Sequence, residues 1–74
     1  MAKKDKEAVY RVTDVIGTSS ESWEAAARSA VNTASKSLRD LRIAEVTKMD
    51  MTVENGKVAS FRTRVALSFK YDPE

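Results

Sequence analysis

The chain has 74 residues, of which 13 are basic and 11 acidic, for a net charge of +2, and it contains neither cysteine nor histidine. One small domain of this size is marginal by itself, and the missing residue types exclude disulfides and the usual thiolate or imidazole metal sites, so self-association is the expected source of further buried area. The slight basic excess gives no argument for nucleic acid, and with no apolar run of about 18 residues and no apolar stretch behind the N-terminal lysines, the expectation is a cytoplasmic protein without membrane or nucleic-acid partners.

Lys3, Lys4 and Lys6 interleave with Asp5 and Glu7, which reads as a solvated, disordered tail over residues 1–7 ahead of a single domain over 8–74. Val9 to Ile16 is rich in β-branched residues and is followed by Gly17, the pattern of a first strand closed by a turn. Thr18-Ser19-Ser20-Glu21 fits a capping box with Thr18 as N-cap and Glu21 reaching back, Ser19 being the alternative cap. Trp23, Ala26, Ala27, Ala30, Ala34 and Leu38 recur at spacings of three and four and form one narrow apolar helix stripe that ends near Leu38 to Leu41. Glu21 and Glu24 early, with Lys36 and Arg39 late, suit the helix dipole.

From Ile43 to Phe69 two alternating runs flank Asn55-Gly56, the strongest short-range signal for a two-residue hairpin turn. A strict count outward sets Glu54 opposite Lys57, Val53 opposite Val58, Met51 opposite Ser60, Met49 opposite Arg62, Thr47 opposite Arg64, Glu45 opposite Ala66 and Ile43 opposite Ser68. On that count Ala44, Val46, Phe61, Val65, Leu67 and Phe69 pack on the chain's own core. Ile43, Met49, Met51 and Val53 share the other, uncovered face with Arg62, Arg64 and Glu45, a mixture suited to a subunit contact or a ligand. A right-handed crossover through the helix leaves the return strand between the other two, giving an α+β fold, β-α-β-β, with strand order 1-3-2.

Catalysis finds little purchase: there is no base or nucleophile titrating near neutral pH and no nucleophile elbow, P-loop or dinucleotide fingerprint, so the expectation is a protein that is not an enzyme. Gly17-Thr18-Ser19 entering a helix offers N–H groups to an anion, although turn formation and capping explain the same residues. Asp14, Asp50 and Glu54 supply oxygens suited to calcium or another hard cation, or else form ion pairs across strands or subunits. The strict count puts Asp50 opposite Phe61 on the helix side, where an unpaired carboxylate is costly. Trp23 reads as core rather than as a stacking surface, and Met49 and Met51 as subunit contacts rather than pocket walls.

Val9-Tyr10-Arg11-Val12, Ile16-Gly17-Thr18-Ser19, Ser22-Trp23-Glu24-Ala25-Ala26, Glu45-Val46, Gly56-Lys57-Val58 and Ser68-Phe69-Lys70 together resemble the dodecin family, and the likeness runs from Val9 to Asp72. It implies a three-stranded antiparallel sheet wrapped around one helix and a hollow homododecamer that binds or stores a small ligand or ion. Flavin-binding members stack riboflavin or a related flavin on a tryptophan just before the Glu-Val of the second strand and hold the ring edge with a glutamine on the third. Those positions correspond here to Ile43 and Arg62, with Arg42, Glu45 and Arg64 as neighbours of the pocket. Isoleucine has no π-face and a guanidinium cannot accept a hydrogen bond, so flavin binding is expected to be weak or absent. Leu41-Arg42-Ile43-Ala44 and Asp50-Met51 are similar to the flavin-less branch described as calcium dodecins. The arginines then either receive an anionic metabolite or pair with Glu45 and its symmetry mates.

Overall fold

The computed structural model describes residues 7–71, so residues 1–6 of the expected tail lie outside the described residues. Strand β1 (Tyr10–Ser19), helix α1 (Trp23–Ser37), strand β2 (Leu41–Glu54) and strand β3 (Lys57–Lys70) follow in that order. They form one sheet ordered β1-β3-β2, in which β3 runs antiparallel to both neighbours, as the crossover argument requires.

Strand β1 does not stop at Gly17 but continues to Ser19, which pairs with Phe61. The glycine serves a close approach instead of a turn. A Cβ at position 17 would collide with the Ala26 carbonyl and lie 3.0 Å from the Ala30 Cβ, so α1 rests directly on the strand backbone. Pairing draws Thr18 and Ser19 into the sheet, and the cap moves to Ser22, whose side chain accepts from the Ala25 N–H at 3.0 Å. Ser19 Oγ accepts from the Glu21 N–H at 2.9 Å, holding the link between strand and helix. Four hydroxyl residues lie between Gly17 and Trp23, each chemically able to cap, and the length of β1 selects among them. The chain leaves α1 through Leu38, whose N–H donates to the Ala34 carbonyl at 2.9 Å, and turns at Asp40 with φ 59°.

The alanine stripe is the reason that this helix lies so close to the sheet. Ala30 and Ala34 are buried against Val65, Leu67 and Phe69, with Val15, Ala27, Val31, Leu38 and Leu41 packed around them, and Ala26 is buried over Gly17. The helix sits over β1 and β3 and scarcely touches β2. Trp23 anchors its first turn: the indole N–H donates to the Asp50 carbonyl at 3.0 Å, its ring meets Phe61 edge-on with centroids 5.0 Å apart, and its own carbonyl accepts from the buried Thr63 hydroxyl.

Asn55 and Gly56, with φ of 53° and 75°, make the expected turn, and Glu54 and Val53 pair as counted. The register then departs from the strict count. Thr52 pairs with Ser60, which leaves Ala59 as an extra residue on β3, and the offset lasts until Thr47 bulges on β2 and restores the count at Val46 opposite Val65. Between these bulges the pairs are Met51 with Phe61, Asp50 with Arg62, Met49 with Thr63 and Lys48 with Arg64. A one-residue slip exchanges the two faces. Met49 and Met51 therefore lie on the helix side of β2, where both stay exposed, and Asp50 lies on the outer face beside Arg62 instead of opposite Phe61.

The protomer is long, 55 × 20 × 16 Å with a radius of gyration of 15.3 Å, against about 11 Å for a compact domain of this length. Its exposed surface of 5894 Å² exceeds the roughly 4,500 Å² usual for a monomer of this mass. Val12, Ile16 and Ile43 on the outer face, and Val46, Met49, Met51, Val53 and Val58 along the hairpin, are each two-fifths exposed or more.

Candidate functional site

Pairing across three strands stacks the outer face in rungs centred on β3. Arg62 lies between Thr18 and Asp50, Arg64 between Ile16 and Lys48, Ala66 between Asp14 and Glu45, and Ser68 between Val12 and Ile43. The Arg62 guanidinium grips both oxygens of Asp50, Nε to Oδ1 at 2.7 Å and the terminal nitrogen to Oδ2 at 2.9 Å. Arg64 reaches diagonally to Asp14 Oδ2 at 3.1 Å. Both pairs are about half exposed, so solvent screens them. The hydrogen bonds from Arg62 nevertheless hold the Asp50 carboxyl below its ordinary pKa, a little burial opposing them and the charges of Arg62 and Lys48 adding to them. Arg62 is raised in return, chiefly by the same hydrogen bonds. Ile16, Lys48, Asp50, Arg62 and Arg64 enclose a shallow hollow of about 210 Å³, in which three cations surround one carboxylate.

Of the residues singled out from sequence, Arg62, Arg64 and Asp50 meet in this hollow, and Asp14 reaches it through Arg64. Ile43 and Glu45 share the outer face, two rungs and more from Arg62. Arg42 occupies a bulge where β2 enters the sheet and pairs with Asp40 at 3.6 Å. Within the protomer Arg62, Arg64 and Arg42 engage Asp50, Asp14 and Asp40. Among the described residues no three carboxylates gather as a metal cluster, and Arg62 engages both oxygens of Asp50.

Ile16 and Lys48 were not singled out from sequence, yet they complete the hollow. The alternation Lys48, Asp50, Thr52 against Met49, Met51, Val53 already carries the information: giving the polar set the outer face requires the slip that the bulges create.

The dodecin family profile matches residues 9–72 of this chain. This chain belongs to the dodecin family. Calcium dodecin of Mycobacterium tuberculosis (strain ATCC 25618 / H37Rv) is 45% identical over 65 residues, a match that spans 88% of this chain and 92% of that protein. The crystal structure of that protein, described as a calcium chelating antigen with a novel calcium-binding site, superposes with a TM-score of 0.76 at 46% identity, over 89% and 94% of the two chains. Dodecin from Streptomyces coelicolor superposes with a TM-score of 0.84 at 39% identity, over 90% and 96%. Dodecin from Streptomyces davaonensis gives 0.81 at 34%, over 88% and 96%. The β1-β3-β2 sheet with its single helix is the fold that these dodecins share with this chain.

Proposed function

We propose that this dodecin is a hollow homododecameric binding or storage protein for a small ligand or ion, without catalytic activity, and that flavin is not its principal ligand. The observation that carries the reading is the outer face itself. No tryptophan, tyrosine or phenylalanine stands at position 43, where the family's flavin binders place their stacking ring, and an arginine already engaged by Asp50 stands at the glutamine position. The extended protomer and its exposed apolar side chains on both faces support self-assembly, which covers them. The relative named calcium dodecin supports an ion as ligand. On this reading Asp14 and Asp50, each ion-paired within the protomer, form a calcium site together with oxygens from adjoining copies. Its formation then competes with Arg62 and Arg64 for the same carboxylates.

Thermal unfolding of the assembled protein tests the ion reading: calcium raises the midpoint and a chelator returns it. A midpoint indifferent to calcium leaves the cage without that ligand. Riboflavin tests the other half, its emission remaining unquenched at micromolar protein. Strong quenching would restore flavin storage as the function.

A further inference from the structure

At the end of the sheet opposite the Asn55-Gly56 turn, the start of β1, the exit from α1 and the end of β3 enclose a second hollow of about 560 Å³, within the range of small-molecule sites. Its lining mixes polar and apolar groups, with the half-buried Leu38 over the buried Phe69 on the inner side and the half-exposed Tyr71 at the rim. The walls are tied together by backbone hydrogen bonds. The Lys70 N–H donates to the Asp40 carbonyl at 3.1 Å and the Tyr71 N–H to the Val9 carbonyl at 2.6 Å, while Leu38 closes the last turn of α1. Asp40 takes a positive φ, and its carboxylate is directed to Arg42.

Two guanidiniums line this hollow, Arg11 from β1 and Arg39 from the link after α1. Neither has an ionic partner among the described residues. Arg11 shares the face of its cross-strand partner Phe69, so one cation stands beside the inner side. The Asp40 carboxylate also lines the hollow but is shared with Arg42, and the C-terminal end of α1 adds about half a negative charge, so that Arg11 and Arg39, with Lys70 on the same lining, leave the hollow positive.

We infer that this hollow binds a small phosphate ester whose organic part is apolar. A phosphate monoester carries nearly two negative charges at neutral pH and matches two unpaired guanidiniums, each able to grip it through paired N–H donors. A monocarboxylate leaves one of them unbalanced. Leu38 and the half-exposed Tyr71 ring take the organic group. The site is separate from the Asp50–Arg62 face and does not depend on the function proposed for it.

Calorimetric titration of the assembled full-length protein with phenyl phosphate tests the inference, with inorganic phosphate and phenol as controls. Phenyl phosphate binds saturably, inorganic phosphate more weakly and phenol not at all. Arg11→Gln and Arg39→Gln each weaken phenyl phosphate by about tenfold or more, the loss of a charge-assisted contact, with unchanged circular dichroism and assembly size. Arg62→Gln binds it as the parent does. No saturable heat up to about 10 mM ligand, an affinity unchanged in both variants, or an equal loss in Arg62→Gln would overturn the site.

Discussion

Gly17→Ala puts the close approach of α1 to β1 to the test. The added methyl meets the Ala26 carbonyl head-on, with the Ala26 carbonyl carbon at 2.9 Å and the Ala30 Cβ at 3.0 Å behind it. All three are backbone or Cβ atoms, so no flexible side chain can swing aside and the helix has to lift from the sheet as a body. Overpacking of this kind costs about 1–3 kcal/mol. In a domain of this size each kcal/mol moves the thermal midpoint by about 4–8 °C, so a fall of about 5–20 °C is predicted by circular dichroism at fixed protomer concentration. The lift also loosens Trp23, which is held by Phe61 and by the Asp50 and Thr63 hydrogen bonds, and its fluorescence should shift toward that of a wetter indole. A Gly17→Ala protein with the parental midpoint and emission would refute the claim that the helix touches the β1 backbone there.

Leu67 is fully buried beneath the alanine stripe, and Leu67→Ala is expected to cost about 2–5 kcal/mol in denaturant unfolding; a loss below 1 kcal/mol would contradict that core. Asp50 has its pKa lowered in the folded state by Arg62, so the stability it contributes is present above its unfolded pKa and disappears as pH falls through the lower folded one. Asp50→Asn should therefore be less stable than the parent at neutral pH, with a gap that closes in acid, and a gap independent of pH would remove the ion pair from the account. Asn55-Gly56 depends on two left-handed residues, so Gly56→Val should weaken the hairpin by about 1 kcal/mol or more, read from the same unfolding curves; an unchanged midpoint would deny the turn its role.

The elements and their topology were legible because each has a local chemical cause. Asn-Gly dictates the turn, the alanines at spacings of three and four dictate a closely docked helix, and the length of the crossover dictates strand order 1-3-2. What escaped the sequence lay where two local signals competed. Gly17 carries the same signature as a turn residue and as a contact residue, and only the helix above it distinguishes them. Thr18, the expected cap, and Ser19, its alternative, are as able to cap as Ser22, and the pairing of β1 out to Phe61 leaves the role to Ser22. The bulges at Ala59 and Thr47 have no glycine or proline to announce them, and they reversed the faces of Met49, Asp50 and Met51. Arg62 and Arg64 fall on the outer face on either register, but their engagement of Asp50 and Asp14 within one protomer was not legible, because placing Asp50 beside Arg62 requires the register to within one residue.

The extent of the protomer and its exposed apolar side chains support its assembly with further copies. Light scattering on the purified protein in dilute neutral buffer measures this directly. Twelve chains of 8.2 kDa predict a particle of about 98 kDa that stays assembled on dilution, whereas a stable 8.2 kDa species would contradict it.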